Sequence, residues 1–420
     1  MDTPPPLPPA SVFRHRDFSL LWWGRVLGSL ALTAESVTIG WQVYAVARLS
    51  KSVEEGAFLV GIVGLLQFIP VFLLTLVAGE VADRYDRRKI MLCALAVEAV
   101  CVTALAVHSL DPHPSLTLIF ILAPVFGAAR TFFQPSAWAL MPMLVPREEL
   151  PRAVAWGSLS YQFSSIIGPA IAGALCAQSP TLAFGFSGLL YGLSAVSVMM
   201  IRTNGRPEHN PGSRLALIRE GLAYVWTNKI VFGSISLDLF AVLLGGATAL
   251  LPVFAKDVLM VGPEGFGIMR AAPSIGAAVV AFWLARKPLE RRAGHWMFGG
   301  VALFGLATIG FGLSKSLWLS VVMLILLGAG DMVSVFIRQT LVQIVTPDAM
   351  RGRVAAVSGL FIGASNELGE FESGLAARIL GPVGAALFGG VGALIVTGAW
   401  AKMFPALRKA DELHRPEEPA

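Results

Sequence analysis

Long apolar segments alternate with short polar segments along this chain of 420 residues. A helix needs about 20 mainly apolar residues to cross the ~30 Å hydrocarbon core of a bilayer. Twelve segments are long enough, and we predict spans at 18–48, 57–81, 90–109, 116–143, 154–178, 181–201, 230–255, 265–285, 295–313, 316–340, 354–379 and 382–404. The apolar runs are uninterrupted, unlike the alternating strands of a barrel, so we predict an all-α integral membrane protein with 12 transmembrane helices.

The composition supports this prediction. Hydrophobic residues make up 55% of the chain and charged residues 14%, whereas soluble domains carry roughly a quarter charged residues. The three cysteines fall in predicted spans without paired spacing, so we predict no disulfide and no metal site. A Gly-rich phosphate loop and a nucleophile elbow are both absent from the sequence, so we predict no cofactor and no enzymatic activity.

The placement of basic residues predicts the orientation. Most of the 32 Lys and Arg residues lie in loops on the side of the N-terminus, and the opposite side carries Arg48, Lys51, Lys256, Lys315 and Arg378. Basic loops remain on the cytoplasmic side, so both termini are predicted to be cytoplasmic in a bacterial inner membrane. The net charge of +5 is therefore explained by topology, and no nucleic-acid partner is predicted. The Pro-rich start lacks a basic region and a cleavage site, which argues against a cleaved signal peptide.

A weak internal repeat divides the chain. "WQVYAVARLS" matches "LPVFAKDVLM", and "VPREELPRAVA" matches "TPDAMRGRVAA" in the same order. We predict two pseudo-symmetric six-helix bundles that enclose a central cavity and work by alternating access. The predicted units are an N-terminal tail 1–17, a bundle 18–201, a linker 202–229 with an amphipathic helix, a bundle 230–404 and a C-terminal tail 405–420.

The charged loop "GEVADRYDRRKIML" at 79–92 resembles motif A of the major facilitator superfamily. The matching positions include Gly79, Asp83, Arg84, Arg87 and Arg88. It departs from the family at position 86, where this chain has aspartate and the family commonly has glycine. The resemblance implies that the aspartate faces a helix N-terminus of the other bundle, that the arginines add interbundle pairs, and that the loop closes the cytoplasmic side. The alternative is a basic loop that serves topology alone.

Three further segments resemble the branch that contains enterobactin exporters. They are "FRHRDFSLLWWGRVLGSLA", "FFQPSAWALMPMLVPREEL" and "SSIIGPAIAG". In the last, Gly168, Pro169 and Gly173 resemble the span-five Gly-Pro signature of drug/proton antiporters, although Ala172 and Ser164 replace usual glycines. The signature favours export and implies tight packing of span five against the other bundle, and ordinary helix packing is the alternative.

Ionisable residues inside the predicted spans are the candidate site. A charge at the bilayer centre costs at least ~2.5 kcal/mol, so each is a functional candidate. Glu35, Arg130 and Asp331 lie midway along spans one, four and ten, which by the resemblance line the cavity. Arg130 resembles the motif B arginine that is implicated in proton coupling, and a structural counterion is its alternative role.

Two other acidic residues in predicted spans have structural roles as their main or alternative prediction. Asp238 in span seven lies at a depth similar to that of Arg25 in span one, so a structural or gating ion pair is an alternative to substrate binding. Glu98 lies in span three, which the resemblance places at the bundle periphery, and we predict a structural role for it.

Span eleven carries three carboxylates in "NELGEFESG". Glu367 and Glu370 are three residues apart and share a helix face, whereas Glu372 projects elsewhere. If they lie close together in low dielectric, one is expected to hold a proton near neutral pH and act as a carrier. Otherwise they attract cations at an outer vestibule, or Glu370 pairs with Arg270 and Glu372 is either exposed or paired with Arg378.

Together these features predict a proton-coupled exporter of a small amphipathic molecule, siderophore-like or drug-like. Its expected partners are the substrate, protons and membrane lipids, and we expect a monomer. A lysophospholipid transporter and an uncoupled facilitator are the alternatives within the transporter class. A receptor built on a transporter scaffold and a membrane enzyme are alternatives from other classes.

Overall fold

The computed structural model describes residues 11–206, 214–287, 289 and 291–408, and most of these residues are helical. The helices are α1 Arg16–Ala47, α2 Val53–Arg84, α3 Arg87–His108, α4 Thr117–Leu140, α5 Leu150–Gln178, α6 Pro180–Met199, α7 Arg214–Thr227, α8 Lys229–Leu244, α9 Leu251–Val253, α10 Gly262–Arg286, α11 Ala293–Leu313, α12 Leu317–Val345, α13 Asp348–Met403 and α14 Pro405–Arg408. Among the described residues, ten helical segments are long and apolar enough to cross a membrane. The predicted tail segments 1–10 and 409–420 and linker segment 207–213 lie outside the described residues.

Polar caps fix where several helices begin. Ser52 and Glu55 form a capping box at the start of α2, in which each side chain accepts a hydrogen bond from the other's backbone N–H, at 3.2 and 3.3 Å. Asp86 starts α3 by accepting from the Arg88 N–H at 3.0 Å. Asn228 starts α8 by accepting from two N–H groups at 3.1 Å each. The helices therefore begin in the polar loops that separate the predicted spans.

Helix α13 contains two segments separated at Gly381. This glycine has φ 72° and ψ 166°, which interrupts the helix in the middle of an apolar stretch. Glycine tolerates positive φ without a steric penalty, and the following Pro382 is suited to begin a new helix. The predicted boundary between the spans 354–379 and 382–404 is confirmed at this position.

The predicted span 230–255 falls within Lys229–Val258, which is long and apolar enough to cross a membrane, but its helix is broken. Helix α8 ends at Leu244, and the chain is irregular at Gly245 and Gly246. A Cβ atom on Gly245 would lie 2.3 Å from the Phe304 ring, and one on Gly246 would lie 2.4 Å from the Gly369 carbonyl oxygen. The close packing therefore requires glycine at both positions. Beyond the break follow a 3-10 helix Ala247–Leu250, α9 and a π-helix Phe254–Val258.

Two apolar cores organise the packing. One is formed within residues 12–201, from α1 to α6 and the segments beside them. The other is formed mainly by residues 237–407 and takes a few members from α1, α2 and α5. Across the two groups of helices, α2 packs along α13 and α5 packs along α10. These two pairs are the main helix contacts between the groups.

The linker contains helix α7, which packs on α8 and α13. Val225 is 2% exposed in a small core with Val231 and Val354. Tyr224 donates its hydroxyl to the Val345 carbonyl at 3.0 Å, whereas Trp226 is 64% exposed. The predicted linker helix is therefore present, and one of its faces is held against the C-terminal helices.

Candidate functional site

A cavity of about 450 Å³ lies between helices α1–α6 and helices α8–α13. Its walls come from α1, α4, α5, α10, α12 and α13, together with the broken segment after α8. Charged and amide side chains project into it, and they include Arg130, Gln162, Arg270, Asp331, Glu367 and Glu370. This volume falls within the range of small-molecule sites, and the polar groups could orient a bound molecule.

An ion pair joins the two groups of helices inside the cavity. Arg130 on α4 places Nη2 2.7 Å from Oε1 of Glu367 on α13. The side chains are 24% and 19% exposed, so both face the cavity without being fully solvated. A charge-assisted hydrogen bond of this length is strong, and it links α4 directly to α13.

A second ion pair lies beside the first. Arg270 on α10 places Nη2 3.4 Å from Oε1 of Glu370, which confirms the predicted pairing. The Nη1 atom of Arg270 donates to the Thr248 carbonyl at 3.3 Å, in the irregular segment after α8. Gly64 on α2 leaves room for the glutamate, since a Cβ there would lie 3.1 Å from Oε2 of Glu370. Thr248 belongs to a segment of irregular backbone that borders the cavity. This is one of the few places where irregular backbone is expected at membrane depth.

The third carboxylate of span eleven lies apart from the other two. Glu372 is not among the cavity-lining residues, and its Oε2 lies 3.5 Å from the Ser373 hydroxyl. Its suggested partner Arg378 instead places its guanidinium 4.7 Å from the centre of the Phe58 ring. The predicted separation of Glu372 from the face shared by Glu367 and Glu370 is therefore confirmed.

Asp238 is paired with Arg338 rather than with Arg25. Arg338 Nη1 lies 3.0 Å from Asp238 Oδ2, and the two side chains are only 2% and 6% exposed. Asp331, which lines the cavity, lies within electrostatic reach of both. Arg25 donates Nη2 to the Gly157 carbonyl at 3.3 Å. The similar depth of Asp238 and Arg25 in their predicted spans therefore did not identify ion-pair partners.

Glu35 does not line the cavity, although its helix α1 does, as the resemblance implied. It is 1% exposed, and its Oε2 accepts the Tyr191 hydroxyl at 2.6 Å. Helix α1 presents Leu32, Thr33 and Ser36 to the cavity. At about 100° per residue, Glu35 projects roughly 110° away from the centre of that face. Its carboxyl group is therefore enclosed among helices α1–α6.

The Gly-Pro signature lies where α5 meets two neighbouring helices. A Cβ on Gly168 would lie 2.0 Å from Thr33 Oγ1 on α1, and one on Gly173 would lie 2.9 Å from the Gly267 Cα on α10. A Cβ on Gly267 would in turn lie 2.4 Å from the Pro169 carbonyl oxygen. The predicted close approach of span five to the other group of helices is confirmed.

The motif A positions lie at the end of α2, which we call the Asp83 end of the molecule. Gly79 is buried and Asp83 is half-buried. Arg84 forms an ion pair of 2.5 Å with Glu80, one helical turn earlier, and both are exposed. This pair lies within α2, so it does not link the two groups of helices.

The next two arginines of the motif bind helix ends. Arg87 Nη1 donates to the Ala139 carbonyl at 2.9 Å, at the end of α4. Arg88 Nη2 donates to the Met199 carbonyl at 3.2 Å, at the end of α6. Cations are favourable at helix C-termini, where carbonyl groups lack intrahelical partners. These bonds hold the loop to its own group of helices, and the interbundle role of the arginines stays a prediction.

The opposite end carries a polar cluster that the sequence analysis missed. Tyr44 donates its hydroxyl to Asp257 Oδ2. Arg48 donates Nε to Asp257 Oδ2 and Nη2 to Oδ1, each at 3.2 Å. Lys256 donates Nζ to the Ala45 carbonyl at 3.4 Å. The repeat match between "WQVYAVARLS" and "LPVFAKDVLM" was the available signal, since it placed both segments at the same end.

The model of the transmembrane secretion effector family matches residues 7–418. The chain belongs to this family. It is a membrane transporter of the major facilitator type, as the motif A resemblance indicated.

Within the described residues, His, Cys, Asp and Glu form no group of three that could hold a metal ion.

Similar proteins include the enterobactin exporter EntS from Shigella boydii serotype 4 (strain Sb227), which is 29% identical over 376 residues, 87% of this chain and 84% of the relative. EntS from Escherichia coli O1:K1 / APEC is 29% identical over 396 residues, 92% of this chain and 85% of the relative.

Solved structures show the same fold at low identity. The POT family transporter PepTSo has a TM-score of 0.75 at 14% identity and covers 96% of this chain and 100% of its own. A bacterial homologue of the human lysosomal transporter Spinster, in an inward-facing and unoccupied conformation, has a TM-score of 0.71 at 14% identity. That match covers 96% of this chain and 97% of the homologue.

Proposed function

We propose that this transporter is a proton-coupled exporter of a small amphipathic molecule, siderophore-like or drug-like, in a bacterial inner membrane. The observation that carries the proposal is the Arg130–Glu367 ion pair inside the cavity, which connects the two groups of helices. The two relatives described above are enterobactin exporters, which supports the substrate class and the direction of transport.

The proposed architecture has twelve spans in two six-helix bundles, 18–201 and 230–404, joined by the linker 202–229 and flanked by tails 1–17 and 405–420. Ten candidate spans are supported by length and apolarity. The break at Gly381 divides the last candidate in two. Helix α1 is the twelfth, since its 32 residues are long enough to cross despite its internal charges. The excess of basic residues at the Asp83 end supports cytoplasmic termini and a cytoplasmic Asp83 end.

The proposed state of this structure is inward-facing. The Arg48 end is held by the contacts of Tyr44 and Arg48 with Asp257, and nearby α5 and α10 approach at Gly173 and Gly267. The inward-facing Spinster homologue is among the similar structures, which is consistent with this assignment. In this state the cavity would open towards the cytoplasm, and motif A would close that side in the alternate state.

The proposed coupling of substrate transport to protons follows from competition between proton and substrate for the Glu367 carboxylate. A charged glutamate at this depth is stabilised by Arg130, and a protonated glutamate forms a weaker bond with it. Proton binding at Glu367 would therefore release the guanidinium and loosen the link between α4 and α13. Substrate groups that donate hydrogen bonds would bind the charged carboxylate of Glu367. A proton bound there removes that acceptor, so proton and substrate would exchange during the transport cycle. Glu370 and Asp331, which also line the cavity, are proposed to tune the charge seen by the substrate.

Transport by inverted membrane vesicles tests this proposal, with enterobactin as the probe and an imposed pH gradient as the driving force. We expect gradient-dependent uptake that is lost in Glu367→Gln and retained in Glu264→Gln, an exposed glutamate at the start of α10. Uptake by Glu367→Gln that still follows the gradient would overturn the proposed carrier. Uptake that ignores the gradient in the unaltered protein would indicate a facilitator.

A binding measurement tests the proposed substrate class separately from the proposed proton coupling. A bound ligand raises the melting temperature by mass action, so we expect enterobactin to stabilise the purified protein. The stabilisation should weaken at acidic pH in the unaltered protein, because proton and substrate compete. In Glu367→Gln it should become independent of pH. If amphipathic drugs or lysophospholipids stabilise the protein and enterobactin does not, the substrate class is wrong while the transporter class stands.

A further inference from the structure

A second, larger cavity lies outside the transport path. It has a volume of about 820 Å³ and is bordered by α2, α3 and α4 at the Asp83 end. Helices α2 and α3 each pack along α4 far more extensively than on one another. The cavity is therefore a groove with α4 as its floor and the other two helices as its walls. It shares no lining residue with the transport cavity.

The inner part of the groove is apolar. Ile90, Cys93 and Val97 recur at helical spacing along the α3 wall, and Val125 and Phe132 lie on the α4 floor. From Lys89 to Val97 is eight residues, or about 12 Å of helix at 1.5 Å per residue. Half the hydrocarbon core of a bilayer is roughly 15 Å. The groove thus extends from the helix ends nearly to the depth that one leaflet's acyl chain occupies.

The rim of the groove is basic. Arg84, Lys89 and Arg206 line it, and all three are exposed. Arg84 is paired with Glu80, so Lys89 and Arg206 supply the basic charge for a ligand. The acidic lining residue is Asp86, which caps α3 by accepting from the Arg88 N–H at 3.0 Å. Its carboxylate is therefore engaged with the helix N-terminus and offsets the basic rim only in part. The rim is complementary to a negatively charged head group.

We propose that this groove is a binding site for an anionic phospholipid of the leaflet at the Asp83 end. The lipid phosphate lies between Lys89 and Arg206, and one acyl chain follows α3 past Cys93 towards Val97. A zwitterionic lipid matches the apolar walls but leaves the excess basic charge uncompensated. The occupant is a lipid rather than free phosphate, because the apolar lining is the larger part of the surface.

The site also involves the start of the linker. The Arg87 N–H donates to the Gly205 carbonyl at 3.1 Å, so the segment that carries Arg206 is fixed beside the start of α3. A Cβ on Gly205 would lie 2.5 Å from Asp86 Oδ1, which shows how closely the two segments approach. A lipid phosphate bound to both basic side chains adds a bridge between α3 and the linker.

Native mass spectrometry of the delipidated protein, with phosphatidylglycerol and phosphatidylcholine of identical acyl chains as probes, tests the site. We expect preferential retention of phosphatidylglycerol. The double variant Lys89→Gln/Arg206→Gln should weaken its binding by about 30-fold, from the usual contribution of two basic residues near an anionic lipid. The matched control Arg152→Gln/Lys402→Gln removes two exposed charges outside the groove and should bind normally. Equal retention of both lipids, or equal losses in both double variants, would overturn the proposal.

A second measurement uses the unaltered protein and its own cysteine. Cys93 lies in the groove and is exposed, whereas Cys101 and Cys176 are buried. We expect maleimide labelling of Cys93 to be slower in nanodiscs that contain phosphatidylglycerol than in nanodiscs of phosphatidylcholine alone. Inorganic phosphate should not slow labelling, and Ala128→Trp, which fills the floor, should abolish lipid retention with the basic rim intact. Labelling that is indifferent to the lipid, or protection by phosphate alone, would contradict a lipid site.

Discussion

The buried ion pair between α8 and α12 allows a stability prediction of defined size. Asp238 and Arg338 are 6% and 2% exposed at their side chains, with 3.0 Å between the charged atoms. Arg338 Nε and Nη1 make no hydrogen bond of standard geometry with the described residues. The guanidinium therefore depends mainly on charge for its stabilisation. Removing one partner of a buried pair costs about 3–5 kcal/mol, because the remaining charge is left uncompensated.

The variant that tests this is Asp238→Asn, which removes the charge and keeps the shape. We expect the apparent melting temperature in detergent to fall by about 5–10 °C. The control is Glu80→Gln, which breaks the Arg84–Glu80 pair, whose side chains are 65% and 54% exposed. An exposed pair contributes at most about 1 kcal/mol, so the control should change the melting temperature by no more than about 2 °C. Scanning fluorimetry on protein purified in one detergent measures both.

A double variant distinguishes the effect of an uncompensated charge on stability from the effect of altered packing around Asp238 and Arg338. Asp238→Leu/Arg338→Met replaces both charges with apolar side chains, which is often neutral or stabilising at buried positions. Its melting temperature should therefore lie well above that of Asp238→Asn. Asp331 lies within electrostatic reach, so adding Asp331→Asn to Asp238→Asn should lower the melting temperature further. The reasoning is refuted if Asp238→Asn melts like Glu80→Gln, or if the apolar double variant melts as low as the single one.

Three further predictions concern movement between the two groups of helices. Gly173→Leu should abolish transport without unfolding the protein, because α5 and α10 already touch there, whereas Gly185→Leu, with no atom within 4 Å, should transport normally. Asp257→Asn should increase thiol labelling of a cysteine introduced at Leu32 from the Arg48 side, and unchanged labelling would show that the polar cluster does not close that end. Asp83→Asn should decrease labelling of the same cysteine from the Arg48 side, because a weakened motif A gate favours the state that is open at the Asp83 end, and equal rates would argue against a motif A gate.

The sequence predicted what depends on local composition. The helix limits follow from apolar runs that end at polar loops, and the break at Gly381 was visible because a Gly-Pro pair interrupts the apolar run. The break at Gly245 and Gly246 was not predicted, because the apolar run continues through it. Its cause is the nearness of Phe304 and Gly369, which are distant in sequence.

The charged residues of the site could be predicted from the sequence, but their orientation and most of their partners could not. Charges inside spans are expensive, so Arg130, Asp331 and Glu367 could be selected as candidates without knowledge of their neighbours. Which side of a helix faces the cavity depends on its rotation in the assembled protein, and this is why the enclosed position of Glu35 was not predicted. Partners such as Arg130 and Glu367, 237 residues apart, are set by how the two groups of helices meet.

The contacts of Tyr44 and Arg48 with Asp257 have a consequence for apparent affinity. A hydrogen bond to a charged group contributes about 1.5–3 kcal/mol. Counting the Tyr44 bond and the two-pronged Arg48 pair as one contact each, the two contacts favour the state closed at that end by about 3–6 kcal/mol. Unless the opposite end offsets them, they bias the conformational equilibrium by roughly 10²–10⁴. A ligand approaching from the Arg48 side would meet an open cavity in only that small fraction of molecules, and its measured dissociation constant would rise by the same factor. Three residues that do not line the cavity would then make one transporter bind the same molecule tightly from one side of the membrane and weakly from the other.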